Sequence, residues 1–220
     1  MRPAIPELDH LVVGCLSLEE GRTDLEARLG VPAQGGGAHQ GAGTHNALWG
    51  LDGGERWGKV YLELIAPDPA QRRPHTGHLP FGLHLPEVRA RLAEGPRLLS
   101  WMARCRGIEG WVVRSLVPLG TIRTMRRGDL QWRLTSPDDG RPVQHGIVPG
   151  LIDWPVGRPV PAETLAGSGL RLTGFVHRPD RWADRLLGSL GMPAVCPEGD
   201  TGGAPLVAES AGPAGTLRLN

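Results

Sequence analysis

Residues 8–30 read Leu8-Asp9-His10-Leu11-Val12-Val13-Gly14-Cys15-Leu16-Ser17-Leu18-Glu19-Glu20-Gly21-Arg22-Thr23-Asp24-Leu25-Glu26-Ala27-Arg28-Leu29-Gly30. Leu8 to Cys15 is an apolar run with Asp9 and His10 near its start, the pattern of a buried strand. Ser17 followed by Glu20 is a capping-box signal. Leu18, Leu25 and Leu29 recur at helical spacing, and Gly30 with Pro32 beyond it marks the helix end. A buried strand thus passes at once into a helix.

Downstream, the glycine-rich stretch Gly35 to Gly43 reads as a loop. It leads to a strand over Thr44 to Leu51, a turn at Asp52-Gly53-Gly54 and a period-two strand over Lys59 to Ala66. Strand, helix, then two or three strands: this order, read as βαβββ, defines a first module over residues 1–69. A proline-rich connection follows over 70–96. The order returns in 97–155, with a strand at Arg97 to Cys105 and a helix face of Ile108, Trp111, Val112 and Leu116 closed by Gly120. Strands follow at Thr121 to Met125, Leu130 to Thr135 and Gly146 to Trp154. A third unit, 156–220, has a strand at Leu170 to Val176, a helix after Asp180 and strands at Ala204 to Glu209 and Gly215 to Leu219. The repeat also shows in the letters. Leu29-Gly30-Val31-Pro32-Ala33 and Leu190-Gly191-Met192-Pro193-Ala194 share four of five positions, and Tyr61-Leu62-Glu63-Leu64 parallels Thr216-Leu217-Arg218-Leu219. The expected fold is therefore α+β, built from repeated βαβββ modules.

Composition agrees with many short elements joined by tight turns. The 220 residues include 33 glycines and 21 prolines, yet 40% are apolar and the net charge is +1, which excludes a disordered chain. Of the 24 basic residues only Lys59 is a lysine, and the 23 acids are interleaved with them. No continuous basic face is visible, so no nucleic-acid partner is expected. The three cysteines, Cys15, Cys105 and Cys196, are far apart and form no CxxC motif, the usage of a reducing compartment. With no apolar leader over Met1 to Glu7 and no long apolar run, no membrane partner is expected and a cytoplasmic location is.

Two ionisable residues interrupt apolar strands: His10, and Glu63 within Tyr61-Leu62-Glu63-Leu64-Ile65. A carboxylate there must be paired, protonated or metal-bound, because a bare buried charge costs several kcal/mol. The residues alone leave a structural His–Glu pair and a metal site both open. His45 and Asn46, which start a strand after the glycine-rich stretch, suit either a substrate contact or a turn cap. His75, His78 and His84 sit on the flexible-looking connection with no second ligand pair, and His145 precedes the Asp153 strand.

Leu8-Asp9-His10-Leu11-Val12, Gly43-Thr44-His45-Asn46, Tyr61-Leu62-Glu63-Leu64-Ile65-Ala66-Pro67-Asp68-Pro69 and Leu151-Ile152-Asp153-Trp154 together resemble the glyoxalase-like branch of the vicinal-oxygen-chelate superfamily. The resemblance implies modules paired into a curved, half-barrel sheet around a pocket, with helices outside. It implies a divalent metal (zinc, nickel, manganese or iron) held by His10, Glu63 and Asp153. It further implies Trp101 and Trp154 as pocket walls; by their own chemistry His45 and Asn46 are the candidate substrate contacts, and Glu63 or His45 the candidate proton carriers. Trp101 stands where metal-dependent members place a histidine. Two functions follow from the likeness: a metal-dependent lyase, isomerase or dioxygenase-type enzyme acting on a small oxygen-rich or carbonyl compound, or a metal-free protein that sequesters a small ligand. A homodimer is compatible with either.

Overall fold

The computed structural model describes residues 5–72, 74, 77–165, 167–192 and 194–220; His75 of the histidine group and Pro193 of the repeated pentapeptide lie outside the described residues. At its centre β1 (Glu7–Gly14) pairs in parallel with β4 (Lys59–Pro67) and antiparallel with β5 (Arg97–Arg104). On the β4 side come β3 (Thr44–Asp52) and, on the free edge of β3, β2 (Gly35–His39). On the β5 side come β8 (Gly150–Asp153), β7 (Leu130–Ser136) and β6 (Thr121–Arg127). A final group, β9 (Arg171–His177), β10 (Leu206–Gly212) and β11 (Gly215–Leu219), joins through one parallel pairing of Asp52 with Arg171. The described residues thus form one open, curved, mixed sheet of 11 strands, with β2 and β6 brought together where the Gln40 amide donates to the Arg126 carbonyl at 3.2 Å.

The first helix, α1 (Leu18–Leu29), begins where the Ser17 hydroxyl accepts from the Glu20 amide and ends on Gly30. That glycine has φ +74°, and its N–H reaches the Glu26 carbonyl; a side chain there would be strained by the left-handed backbone. The other helices are short: α2 (Gly54–Trp57), α3 (Pro86–Leu92), α4 (Ile108–Arg114), α5 (Pro161–Thr164) and α6 (Ala183–Ser189).

Central strands are buried on both faces, and side-chain parity assigns each residue to a layer. Leu62, Leu64 and Ala66 of β4 join the main apolar core with Leu25 and Leu29 of α1, while Tyr61, Glu63 and Ile65 face the concave side. On β1, Leu8, Leu11 and Val13 belong to that main core. Two residues, Asp9 and His10, therefore separate Leu8 from Leu11, and the β1–β5 register slips between Leu8 and His10. This bulge turns both Asp9 and His10 toward the concave side.

Several sequence expectations are corrected. The glycine-rich stretch is a strand over its first half, because Gly35 to His39 pairs with Thr44 to Leu48. Asp52-Gly53-Gly54 leads into α2 rather than directly into a strand. Helix α4 stops at Arg114. Leu116 lies beyond it and is 57% exposed, and Gly120 packs against the Ser136 backbone instead of capping the helix. Only Gly150–Asp153 of the segment from Gly146 is extended, the part before it being a 3-10 turn with His145 at positive φ. No helix among the described residues is long and apolar enough to cross a membrane.

Candidate active-site pocket

The concave side encloses a cavity of about 780 Å³ with Tyr61, Ile65, Met102, Trp132, Ile152 and Trp154 among its walls. Its floor is a chain of polar side chains supplied by adjacent strands. Trp154 Nε1 donates to Asp9 Oδ2 at 2.9 Å, and Asp9 Oδ1 lies 2.6 Å from His10 Nδ1. His10 Nε2 is 3.3 Å from Glu63 Oε2, and Asn46 Nδ2 donates to Glu63 Oε1 at 2.5 Å. Arg127 Nη1 donates to Asn46 Oδ1 at 3.3 Å. The His10 ring also stacks on Tyr61 with centroids 4.4 Å apart.

These contacts fix protonation. Burial alone would lower the His10 pKa, but hydrogen bonds to Asp9 and Glu63 carry it up to about 9, so the ring is an imidazolium with both N–H groups engaged. Burial would likewise raise Glu63, yet the His10 hydrogen bond and charge, with the Asn46 amide, bring it down to about 2. Asp9 has no exposed surface and leans on its two donors.

His39, on β2, is a further polar residue of the floor. Its Nδ1 is 3.0 Å from Thr44 Oγ1 and its Nε2 is 3.1 Å from Asn46 Nδ2. Asn46 must present its oxygen to Arg127 and its amino group to Glu63, so the second amino hydrogen points at His39 Nε2. Nε2 is then the acceptor and Nδ1 carries the proton. Burial lowers the His39 pKa, consistent with a neutral ring.

Of the residues expected from the sequence, His10, Glu63, Asn46 and Trp154 meet at this floor. Three do not. Asp153 stands between cavity-facing Ile152 and Trp154 and so points to the opposite face, where Arg133 holds it at 2.8 Å and Arg106 at 3.8 Å. Trp101 is fully buried in the main core, its indole N–H on the Ile147 carbonyl and its ring edge-on to Phe175. Its neighbours Ser100 and Met102 face the cavity instead. His45 alternates with Asn46 and lies on the other face, with Nε2 buried and unpartnered and Nδ1 3.9 Å from Asp68. His78 lines the cavity and stacks on His84, and His145 is exposed away from it.

The donor set does not suit the metal expected from the resemblance. In place of a third ligand, the cavity-facing positions of β5 and β8 hold Ser100, Met102, Gly150 and Ile152. Both nitrogens of His10 are occupied by carboxylates, and among the described residues no group of three His, Cys, Asp or Glu side chains is placed to hold an ion.

Sequence reasoning passed over Asp9, His39, Tyr61 and Arg127. Asp9 looked like the polar start of a strand, and only the bulge aligns it with His10. His39 was hidden because glycines display no alternation. Arg127 lies between the strands expected at Thr121 to Met125 and Leu130 to Thr135, where no local pattern marks it.

Residues 8–188 match a family model described as glyoxalase-like domain. No curated protein matches significantly. Solved structures similar to this chain include a variant of Streptomyces coelicolor methylmalonyl-CoA epimerase in complex with 2-nitronate-propionyl-CoA, with 16% identity, TM-score 0.44, and coverage of 71% of this chain and 100% of that one. Mycobacterium tuberculosis methylmalonyl-CoA epimerase is similar at 17% identity and TM-score 0.40, covering 70% and 92%. A mutant of Streptomyces coelicolor 4-hydroxymandelate synthase has 15% identity and TM-score 0.40, covering 72% and 52%. With the family model spanning most of its length, the chain belongs to the glyoxalase-like domain family.

Proposed function

We propose that the protein binds a small oxygen-bearing organic compound in the concave cavity and moves a proton on it with the His10–Glu63 pair, without a metal. The observation that carries this reading is the His10 imidazolium held between Asp9 and Glu63 at the floor of the cavity. In the free protein His10 and Glu63 satisfy each other. A carbonyl oxygen that takes the His10 Nε2 proton as a hydrogen bond displaces Glu63 from it. Glu63 then loses the partner that keeps its basicity low and becomes able to accept a proton from the carbon beside that carbonyl. Asp9 orients His10 and keeps it charged, while Asn46 steadies the other oxygen of Glu63. The cysteines are all free and buried, in keeping with our reading of a cytoplasmic protein.

The test is a thermal-shift screen of small ketones, aldehydes and esters. Stabilising compounds are then followed by proton NMR in D2O for exchange of the hydrogens beside the carbonyl. We expect exchange with wild-type protein and its loss, by a factor of about a hundred or more, in Glu63→Gln. If nothing stabilises the protein, the binding reading fails. Binding with no Glu63-dependent exchange leaves a sequestration protein and removes the acid–base role.

A further inference from the structure

Four arginines reach the cavity wall, and their counter-ions divide them. Arg123 is paired with Asp138 at 2.7 Å, and Arg141 with Glu87 at 2.9 Å. Arg127 and Arg72 have no carboxylate within 4.0 Å among the described residues. The cavity's own carboxylates are already committed, Glu63 to His10 and Asn46, and Asp138 to Arg123 and Thr121. Arg127 is half-buried, and among the described residues one of its five guanidinium N–H groups is used, on Asn46 Oδ1. Its stem lies over Gly37, where a side-chain carbon would sit 3.6 Å from Arg127 Cγ and Cδ. A guanidinium anchored at one corner, partly desolvated and lacking a counter-ion is built to receive two oxygens of an anion.

We propose that the ligand of this cavity carries an oxoanion, of the carboxylate, sulfonate or phosphate class, which binds to Arg127 beside the His10–Glu63 pair. This rests on the cavity being a ligand site, as argued above. Asn46 ties the two functions together, since the same amide holds Arg127 through its oxygen and Glu63 through its nitrogen. The anionic group and the reacting oxygen of the ligand therefore lie on one side of the molecule, and its apolar body faces Trp132 and Met125. Arg72 at the wall, without a carboxylate partner among the described residues, adds a second positive charge.

The experiment compares two fluorescent probes that share an aromatic body. One, 8-anilinonaphthalene-1-sulfonate, carries an oxoanion, and N-phenyl-1-naphthylamine does not. Both are titrated into the wild-type protein, Arg127→Gln, Arg127→Lys and the control Arg133→Gln, whose site lies off the cavity. We expect the sulfonate to bind wild type about tenfold tighter than the neutral probe. Arg127→Gln removes that advantage and leaves neutral-probe binding within about twofold. Arg127→Lys, which keeps the charge but loses the fork, weakens the sulfonate severalfold. Saturable neutral-probe binding with no preference for the sulfonate, or a preference unchanged in both Arg127 variants, overturns the inference and leaves the cavity reading standing. Failure of both probes to bind wild type overturns the cavity reading and this inference together.

Discussion

His10 Nε2 and Glu63 Oε2 lie 3.3 Å apart across the parallel pairing of β1 and β4, and each side chain is less than a tenth exposed. The pair works as a unit, because removing either charge leaves the other buried with one partner fewer. Glu63→Gln leaves the His10 imidazolium on Asp9 alone, so unfolding in urea at pH 7 should show a loss of about 3 kcal/mol. A loss below about 1 kcal/mol would falsify an ionic pair.

Stability should peak near pH 6.5. His10 is raised from 6.5 to about 9, so its contribution is complete below 6.5 and declines as pH rises from there through 9. His39 is lowered from 6.5 and stays neutral in the fold, so its environment costs stability as pH falls below 6.5. Glu63, lowered from 4.5 to about 2, adds a second loss as pH falls through that window. Urea midpoints measured between pH 3 and 10 test the peak, and Glu63→Gln should flatten its alkaline side.

Asp9 and Asp153 should respond unequally to the same change. Asp9→Asn weakens a fully buried acceptor of two donors and should cost about 2–4 kcal/mol, together with probe binding in the cavity. Asp153→Asn loosens a cluster with partly exposed Arg133 and Arg106 and should cost about 1 kcal/mol or less, with cavity binding intact. Equal effects would mean that Asp153 reaches the site.

Zinc, nickel, manganese or iron(II) in stoichiometric amounts should shift the melting temperature by no more than about 1 °C, since tight binding to the native state raises stability by mass action. Stoichiometric metal retained by wild type and lost in both His10→Ala and Glu63→Ala would overturn the metal-free reading.

Gly36 has φ +141°, and a side-chain carbon there would come within 2.1 Å of the Asn46 carbonyl. Gly36→Ala should therefore destabilise the protein by about 2 kcal/mol or more and detach β2. Hydrogen exchange of the β2–β3 amides reports the detachment, and probe affinity should fall as His39 leaves the floor.

The periodicity of residues 8–30 carried most of the central architecture. The Ser17 cap, the Leu25 and Leu29 face and the Gly30 stop are local signals that need no distant partner, and α1 has those limits. His10 and Glu63 were legible for a similar reason, since a charged group in an apolar strand demands a partner wherever the strand ends up. The parity of the other residues was not. Trp101 and Asp153 each sit one position away from a cavity-facing residue, and strand alternation turns one position into the opposite face.

Local sequence was enough for β1, α1 with its caps and β4, and for the demand that His10 and Glu63, charged groups in apolar strands, be partnered. Tertiary structure decided which residues share the cavity. The bulge between Leu8 and Leu11 puts Asp9 beside His10, pairing with β3 turns a glycine run into the strand that delivers His39, and the approach of β6 to β2 brings Arg127 to Asn46. Those are matters of register and of distant strands meeting, and local sequence encodes the face a residue takes only when the register is already known.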